Sequence, residues 1–549
     1  MAGRIDPAQL GLAMALHQQG RVQAAEPIYR TLLRQDPNDA EVNYLLGIAL
    51  LAQGQAKEAA DRLNRATRRN AGVAAWCALG MALMALGRMQ DSLDALNTAL
   101  AADPGFVDAH YNKGLALQVL GQPGEAIAAF SRALSLRPQD TDSLSARAAC
   151  HNALKDHEKA LEDADAALVL RPRFPAALGN RGNALTGLKR PAEALAAFDQ
   201  ALTVQPDLPE LLCNRGDALH ELGRLEEALA SYGKALGLKP DLAEAEYGQS
   251  LVLLSLGRYA EGLRGFEARH RRPTAPRPRF TKPAWVGERP IAGKTLLIHP
   301  ELYLGDMLQM CRYAVLAHDA GARVVLAAPA RLCRLLGSLG DGIEVVPDTD
   351  RLPPFDAHCP LMSLPLAFGT TAETIPASVP YLHADPDRIA AWQARLGAGG
   401  LRVGVCWQGS ALSVEMDRAF PAALLLGLQR PGMRLVSLQT GPAAADLASR
   451  IEEVGVETPN GPLSFEETAA LVMALDLVIT CDTAMAHLAG ALGKPAWVLL
   501  RHMPEWRWGL TGDRTPWYPT LRLFRQAAPG DWTAPFDEAA RALDGWISG

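Results

Sequence analysis

The chain has 549 residues, 49% of them apolar and 21% charged, with a formal net charge of −6. That length calls for roughly two to four domains, and the near balance of charge excludes a global electrostatic footprint for nucleic acid. No stretch of about 18 uncharged apolar residues occurs, so no membrane span is expected. Residues 1–20 lack the basic start, continuous apolar core and small-residue cleavage site of a secretory signal. Cys77, Cys150, Cys213, Cys311, Cys333, Cys359, Cys406 and Cys481 are scattered, with no CxxC pair and no clustering with histidines. They point away from a zinc site or a disulfide framework and toward a reduced, cytoplasmic setting.

The first half is periodic. Gly20, Gly54, Gly87, Gly121, Gly223 and Gly257 fall on one grid of roughly 33–34 residues, with Lys155 and Lys189 in the two remaining slots. Seven residues before each slot stands a small residue (Ala13, Gly47, Gly80, Gly114, Ala148, Gly182, Gly216, Ser250), where two helices must approach closely. Five residues after most slots comes an alanine, as at Ala25, Ala59, Ala126, Ala160, Ala194 and Ala228, and prolines recur near the repeat ends at Pro37, Pro104, Pro138, Pro172, Pro206 and Pro240. This pattern resembles a tetratricopeptide array of about eight repeats over residues 6–270, an all-α superhelix. In arrays of this kind the first helix of each repeat lines a concave groove, and asparagines there hold a peptide backbone. The resemblance therefore implies a protein-binding groove carrying Asn112, Asn180 and Asn214, with Lys113, Arg147, Arg181 and Arg215 beside it. The residues by themselves are equally a solvated polar face.

Residues 264–290 break the grid and are rich in proline and arginine, which reads as an extended, solvated linker, placed at 271–290. From Thr295 onward, short β-type runs (TLLIH, ARVVLAA, IEVV, RVGVCW, RLVSL, DLVITC and AWVLL) alternate with helical patterns. That alternation predicts Rossmann-like, doubly wound parallel sheets. A pause around 385–400 suggests two halves facing one cleft, over 291–390 and 401–549.

Four places carry chemistry. Leu304-Gly305-Asp306 follows the strand Thr295–His299 and opens a helix through Leu308, Cys311 and Val315, so Asp306 is either a cleft carboxylate able to accept a proton or a helix cap. Val405 to Ser410 ends a strand at the turn of Gly409, and Asp417-Arg418 precedes Pro421. Arg418 then either forks onto a diphosphate or pairs with Asp417 at the surface. Leu477–Cys481 reads as a buried strand running into Asp482-Thr483-Ala484, a helix opening that turns its free N–H groups toward an anion. His487 lies one turn into that helix. The tail Pro504–Trp532 holds four tryptophans and a tyrosine, read mostly as packing for the last helix.

The order G-D, W-x-G, D-[K/R]-x-x-P and D-T-x-x-x-H resembles the heptosyltransferase family, glycosyltransferases of the two-Rossmann GT-B type. The WRW…PWYP…LFRQ…GDW tail is similar to that of bacterial proteins joining this transferase to tetratricopeptide repeats. The resemblance implies an inverting transfer from a nucleotide-sugar, with no metal and no resident cofactor. It places the catalytic base on Asp306, and the donor diphosphate contacts on Arg418, Asp482, Thr483, Ala484 and His487. The repeats imply that the acceptor is a protein; in some similar chains it is a surface-appendage protein such as flagellin. Two departures stand against this pattern. Leu302-Tyr303 replaces the usual Gln-Gly, so a tyrosine narrows the turn before Leu304, and Ala411 to Glu415 replaces the usual polar and basic loop. A scaffold with a degenerate transferase, or a transferase acting on lipopolysaccharide or another glycan, are the alternative readings.

Overall fold

The computed structural model describes residues 5–276, 279–282, 284–301, 303–409, 417–439, 456–457, 459 and 463–548. The chain divides into two compact units, Met1–Leu222 and Gly223–Gly549.

The first unit is helical from Pro7–Gln18 to Pro209–Glu221, each helix packing on the next in sequence. The glycine grid marks the helix ends. At the second slot Gly54 N–H bonds the Leu51 carbonyl and Gln55 N–H reaches back to Leu50, a closure that needs a left-handed residue. Gly20, Gly54, Gly87 and Gly121 accordingly sit at φ between 73° and 75°. Lys155 and Lys189 adopt the same turn at φ 61° and 59°, where a Cβ is unfavourable. Lys155→Gly and Lys189→Gly are expected to raise stability by about 0.5–1 kcal/mol each, read as a higher urea midpoint. An unchanged or lower midpoint contradicts strain at these turns.

The small residues seven positions earlier are fixed by contact. A Cβ on Gly47 or Gly80 would lie 2.5 or 2.6 Å from Cγ of Leu63 or Leu96, and one on Gly114 or Gly182 would lie 2.5 or 2.3 Å from the ring of Phe130 or Phe198. At these four crossings only hydrogen fits without a shift of the facing side chain.

The second unit opens with three more repeat helices, Leu225–Leu238, Ala243–Ser255 and Tyr259–Phe266, and a 3-10 turn, Glu267–His270. The segment read as a solvated linker is laid against the first sheet instead. Trp285 is buried, its backbone N–H donates to the His358 carbonyl at 2.7 Å, and Ala284 bridges to His358 in parallel. Arg279 pairs with Asp348. The prolines and arginines obscured the apolar anchors Phe280 and Trp285, which gain more by burial than an extended coil gains in entropy.

Two all-parallel sheets follow. The first contains β1 (Thr295–His299), β2 (Arg323–Ala328), β3 (Ile343–Pro347) and β4 (Ala357–Pro360) in the order β3-β2-β1-β4. The second contains β5 (Leu401–Cys406), β6 (Met433–Ser437), β7 (Val456–Glu457), β8 (Leu477–Cys481), β9 (Ala496–Leu500) and β10 (Leu521–Arg525) in the order β10-β9-β8-β5-β6-β7. After β5 the chain builds outward through β6 and β7, then returns to place β8 on the other side. A crevice therefore opens at the carboxyl ends of β5 and β8, and β1 with β4 makes the corresponding switch point in the first sheet. The helix expected through Leu308, Cys311 and Val315 is two helices, Leu304–Met310 and Arg312–Asp319, parted at Cys311. No helix among the described residues is long and apolar enough to cross a membrane.

Candidate functional site

Asp306, Gly305, Gly409, Arg418, Asp482, Thr483, Ala484 and His487 all line one cleft of about 1770 Å³ within the second unit. That is larger than the ~300–1000 Å³ of an ordinary small-molecule pocket.

Two strand-to-helix junctions meet there. β8 ends at Cys481, and Thr483 caps the Ala484–Ala491 helix, its hydroxyl accepting from Met485 N–H at 3.2 Å. The Leu304–Met310 helix, which follows β1, packs on this helix. Gly305 makes that approach possible: a Cβ there would lie 2.9 Å from His487 Cδ2. Tyr303 precedes the helix at φ −117° and ψ 146°, extended backbone open to any residue, so the turn does not depend on glycine. Its side chain is exposed along the cleft wall. At the end of β5, Gln439 fixes the turn, accepting from Gln408 N–H at 3.1 Å and donating to its carbonyl at 2.8 Å. Ser410, the loop from Ala411 through Val414 to Glu415, and Leu302 lie outside the described residues.

The cleft's electrostatics form one alternating chain of charge. Arg418 Nη1 lies 3.3 Å from Asp482 and its Nη2 lies 3.4 Å from Glu505. Glu505 then pairs with Arg507 through its other oxygen. Arg507 Nη2 lies 2.5 Å from Asp306 Oδ1. Asp306 is thus a cleft carboxylate and caps nothing, since the Leu304–Met310 helix has no side-chain cap. Arg418 turns into the cleft rather than to the surface, and there it meets Asp482 and Glu505. Burial pushes the Asp306 carboxyl up to about 6, against the pull of Arg507. Burial likewise raises the Asp482 carboxyl, against the pull of Arg418.

His487 is held well below the usual imidazole range, first by burial and then by Arg507, Arg312 and Arg418. It is therefore neutral at pH 7, stacked on Trp508 at 5.2 Å and hydrogen-bonded through Nδ1 to the Tyr518 hydroxyl at 3.0 Å. Arg312 braces this wall, donating to the Trp517 carbonyl at 2.9 Å and the Tyr381 hydroxyl at 2.7 Å. Among the described residues, no three or more His, Cys, Asp or Glu side chains group so as to hold a metal ion.

Sequence reasoning missed Glu505 and Arg507. The tail they belong to was read as packing for the last helix; instead Trp506–Trp508 forms a 3-10 turn at the cleft, and Leu521–Arg525 is the sheet edge strand β10. Trp532 alone follows the expectation closely, packing on Phe420 beside the start of the Thr533–Ser548 helix. The available signal was a Glu and an Arg set among tryptophans, since charges in so apolar a stretch must be paired when buried.

The residues assigned to the repeat groove are engaged within the first unit. Asn112 Nδ2 donates to the Asp108 carbonyl at 2.7 Å, Asn180 Nδ2 to the Ser145 carbonyl at 2.8 Å and Asn214 Nδ2 to Asn183 Oδ1 at 2.8 Å. Lys113 donates to Asn97 at 2.8 Å, while Arg147, Arg181 and Arg215 pair with Asp163, Asp165 and Asp199 at 2.7, 2.7 and 2.6 Å. Each partner sixteen residues away lies on the adjoining helix, so these side chains pin neighbouring helices together.

Comparison with known proteins finds both repeat and transferase models along the chain. Residues 16–82, 73–106, 107–140, 153–209 and 216–257 match models of the tetratricopeptide repeat. Residues 422–526 match the family described as glycosyltransferase family 9 (heptosyltransferase), a span that includes Asp482 to His487, Glu505 and Arg507. Protein FlbA of Caulobacter vibrioides is 30% identical over 311 residues, 51% of this chain and 52% of that protein. The chain thus spans about half the length of the curated relative it matches. Among solved structures, the Cut9-Hcn1 hetero-tetramer of the APC/C is similar at 19% identity and a TM-score of 0.39, covering 47% of this chain and 52% of that one. A thermophilic tetratricopeptide protein of Thermus thermophilus is similar at 26% identity and a TM-score of 0.30, covering 33% of this chain and 100% of its own.

Proposed function

We propose, for a chain that joins tetratricopeptide repeats to a glycosyltransferase family 9 (heptosyltransferase) domain, that it moves a sugar from a nucleotide-sugar to a protein acceptor recruited by the repeats. The observation that carries this reading is the meeting of the β1 and β8 junctions in one cleft, with Asp306 on one wall and Arg418 with the Thr483-capped helix on the other. Asp306 takes the proton of an acceptor hydroxyl, whose oxygen bonds to the anomeric carbon as the bond to the leaving phosphate breaks. The configuration inverts, and the nucleoside diphosphate departs with the electron pair. Its charge develops beside a guanidinium and a helix N-terminus, both of which favour it more as it grows. A tethered acceptor gains effective concentration, into the mM range for a short flexible connection. That advantage gives the repeats a role beside a transferase, and a surface-appendage protein such as flagellin is one acceptor of the right kind.

The base must be ionised to act. With its carboxyl raised to about 6, Asp306 loses its charge as pH falls through that value. For transfer, kcat/KM is therefore expected to be flat near neutrality and to fall about tenfold per pH unit on the acid side of that midpoint. A profile unchanged down to about pH 4.5 contradicts Asp306 as the base.

A second reading, a binding protein whose transferase half no longer turns over, is favoured by the 2.5 Å ion pair that ties Asp306 to Arg507. Calorimetry of the full chain with a panel of nucleoside diphosphates, followed by transfer assays with the corresponding nucleotide-sugars, separates the two. Binding with turnover supports the transferase, binding without turnover supports the scaffold, and no binding overturns the transferase.

A further inference from the structure

Glu505 bridges two of the cleft's guanidiniums, one oxygen 3.4 Å from Arg418 Nη2 and the other paired with Arg507 Nη1. One anionic group with two oxygens turned to two separate guanidiniums is the arrangement a phosphate makes between the same partners. It is also the most solvent-accessible member of the chain of charge: its side chain is 27% exposed, against 18% for Arg418, 16% for Asp306, 9% for Asp482 and 7% for Arg507. It lies on the loop immediately before the Trp506–Trp508 turn, so its side chain can leave for water without moving a strand or a long helix.

Charge decides what a diphosphate must do on arrival. Within the ion-paired chain itself three carboxylates, Asp306, Asp482 and Glu505, face two guanidiniums, Arg418 and Arg507, with Arg501 acting on Glu505 from outside it, in surroundings where Coulomb forces are weakly screened. While Glu505 holds both, the Nη groups are taken by carboxylates and the Nε groups left without a partner are buried, so a second anion competes with Glu505 for the donors that face the cleft. We propose that Glu505 is a built-in stand-in for phosphate: the donor's diphosphate expels it, takes Arg418 and Arg507 as joint ligands, and draws Arg507 away from Asp306. Arg507 is thereby a phosphate ligand shared with the base, and donor binding frees the base for the acceptor. This rests on the glycosyltransferase reading of the cleft and adds an order to it, donor before acceptor.

The test is calorimetry of the full-length chain with inorganic pyrophosphate, comparing wild type with Glu505→Gln and Arg507→Lys. Glu505→Gln keeps the shape and removes the competing charge, so pyrophosphate is expected to bind at least about tenfold tighter. Arg507→Lys keeps the charge but replaces the planar fork with a point donor, so binding is expected to weaken about tenfold. If wild type binds and neither variant changes the affinity, the stand-in role is wrong while the transferase reading survives. If neither pyrophosphate nor any nucleoside diphosphate binds wild type or either variant, both fall. Should Glu505→Gln fail to fold, the Arg507→Lys comparison still decides, with a second readout on wild type alone. Because Arg507 leaves Asp306 when the donor binds, the acid-side midpoint of kcat is expected above that of kcat/KM, and coincident midpoints contradict the proposal.

Discussion

Asp306→Asn is expected to lower sugar transfer by about 10²–10⁴-fold, while affinity for a nucleoside diphosphate holds or tightens. The amide keeps the shape of the carboxylate and cannot take a proton from the acceptor. It also relieves Arg507 of one carboxylate partner, leaving that guanidinium to Glu505 and an incoming phosphate. Stability is expected to change little, because the substitution removes a carboxylate whose charged form burial already disfavours. Transfer at the wild-type rate in this variant would remove Asp306 from the chemistry.

Arg418→Met should act on the opposite wall, lowering nucleoside diphosphate affinity by about 10–100-fold through loss of a charge-assisted contact. The same change leaves Asp482, buried at the end of β8, without the guanidinium 3.3 Å away. Removing one partner of a buried pair is costly, here up to about 3 kcal/mol given that Arg418 is partly exposed. The two effects separate by pH. Asp482 has a carboxyl raised by burial, so in the variant it takes up a proton more readily, and the stability loss shrinks as pH falls. The affinity loss persists at every pH where the diphosphate is ionised. Unchanged affinity with lowered stability would make Arg418 a structural partner of Asp482 alone.

Sequence pattern carried those parts of the fold that local physics decides. The glycine slots were legible because a left-handed helix end tolerates few other residues, and Lys155 and Lys189 were found by phase although they break the composition. β1, β2, β3, β5, β6, β8 and β9 announced themselves as short β-type runs between helical patterns. β4 did not, because AHCP is four residues long and owes its strand geometry to pairing with β1. β10 was hidden in a tail that reads as packing for the last helix, whereas LRLFR pairs with β9 and Arg525 donates to the carbonyls of Trp508, Gly509 and Gly512.

The site divides in the same way. Gly305, Asp306, Asp482 and Thr483 stand at junctions between a strand and a helix, where sequence order alone predicts exposure to a cleft. The pairing of Asp306 with Arg507 spans 201 residues, and no local spacing encodes it. Nor does periodicity distinguish a regularly spaced polar row that holds a peptide from one that holds helices. Asn112, Asn180 and Asn214 occupy the expected phase, yet their amides bond the array itself.

Transfer of a sugar to a captured protein is tested most directly by mass spectrometry of the proteins recovered with the full-length chain from its own cells, carrying either wild type or Asp306→Asn. A bound protein bearing a glycan mass is expected in the wild-type cells, and the same protein without that mass in the variant. Identical masses in the two preparations would contradict Asp306-dependent transfer to a protein.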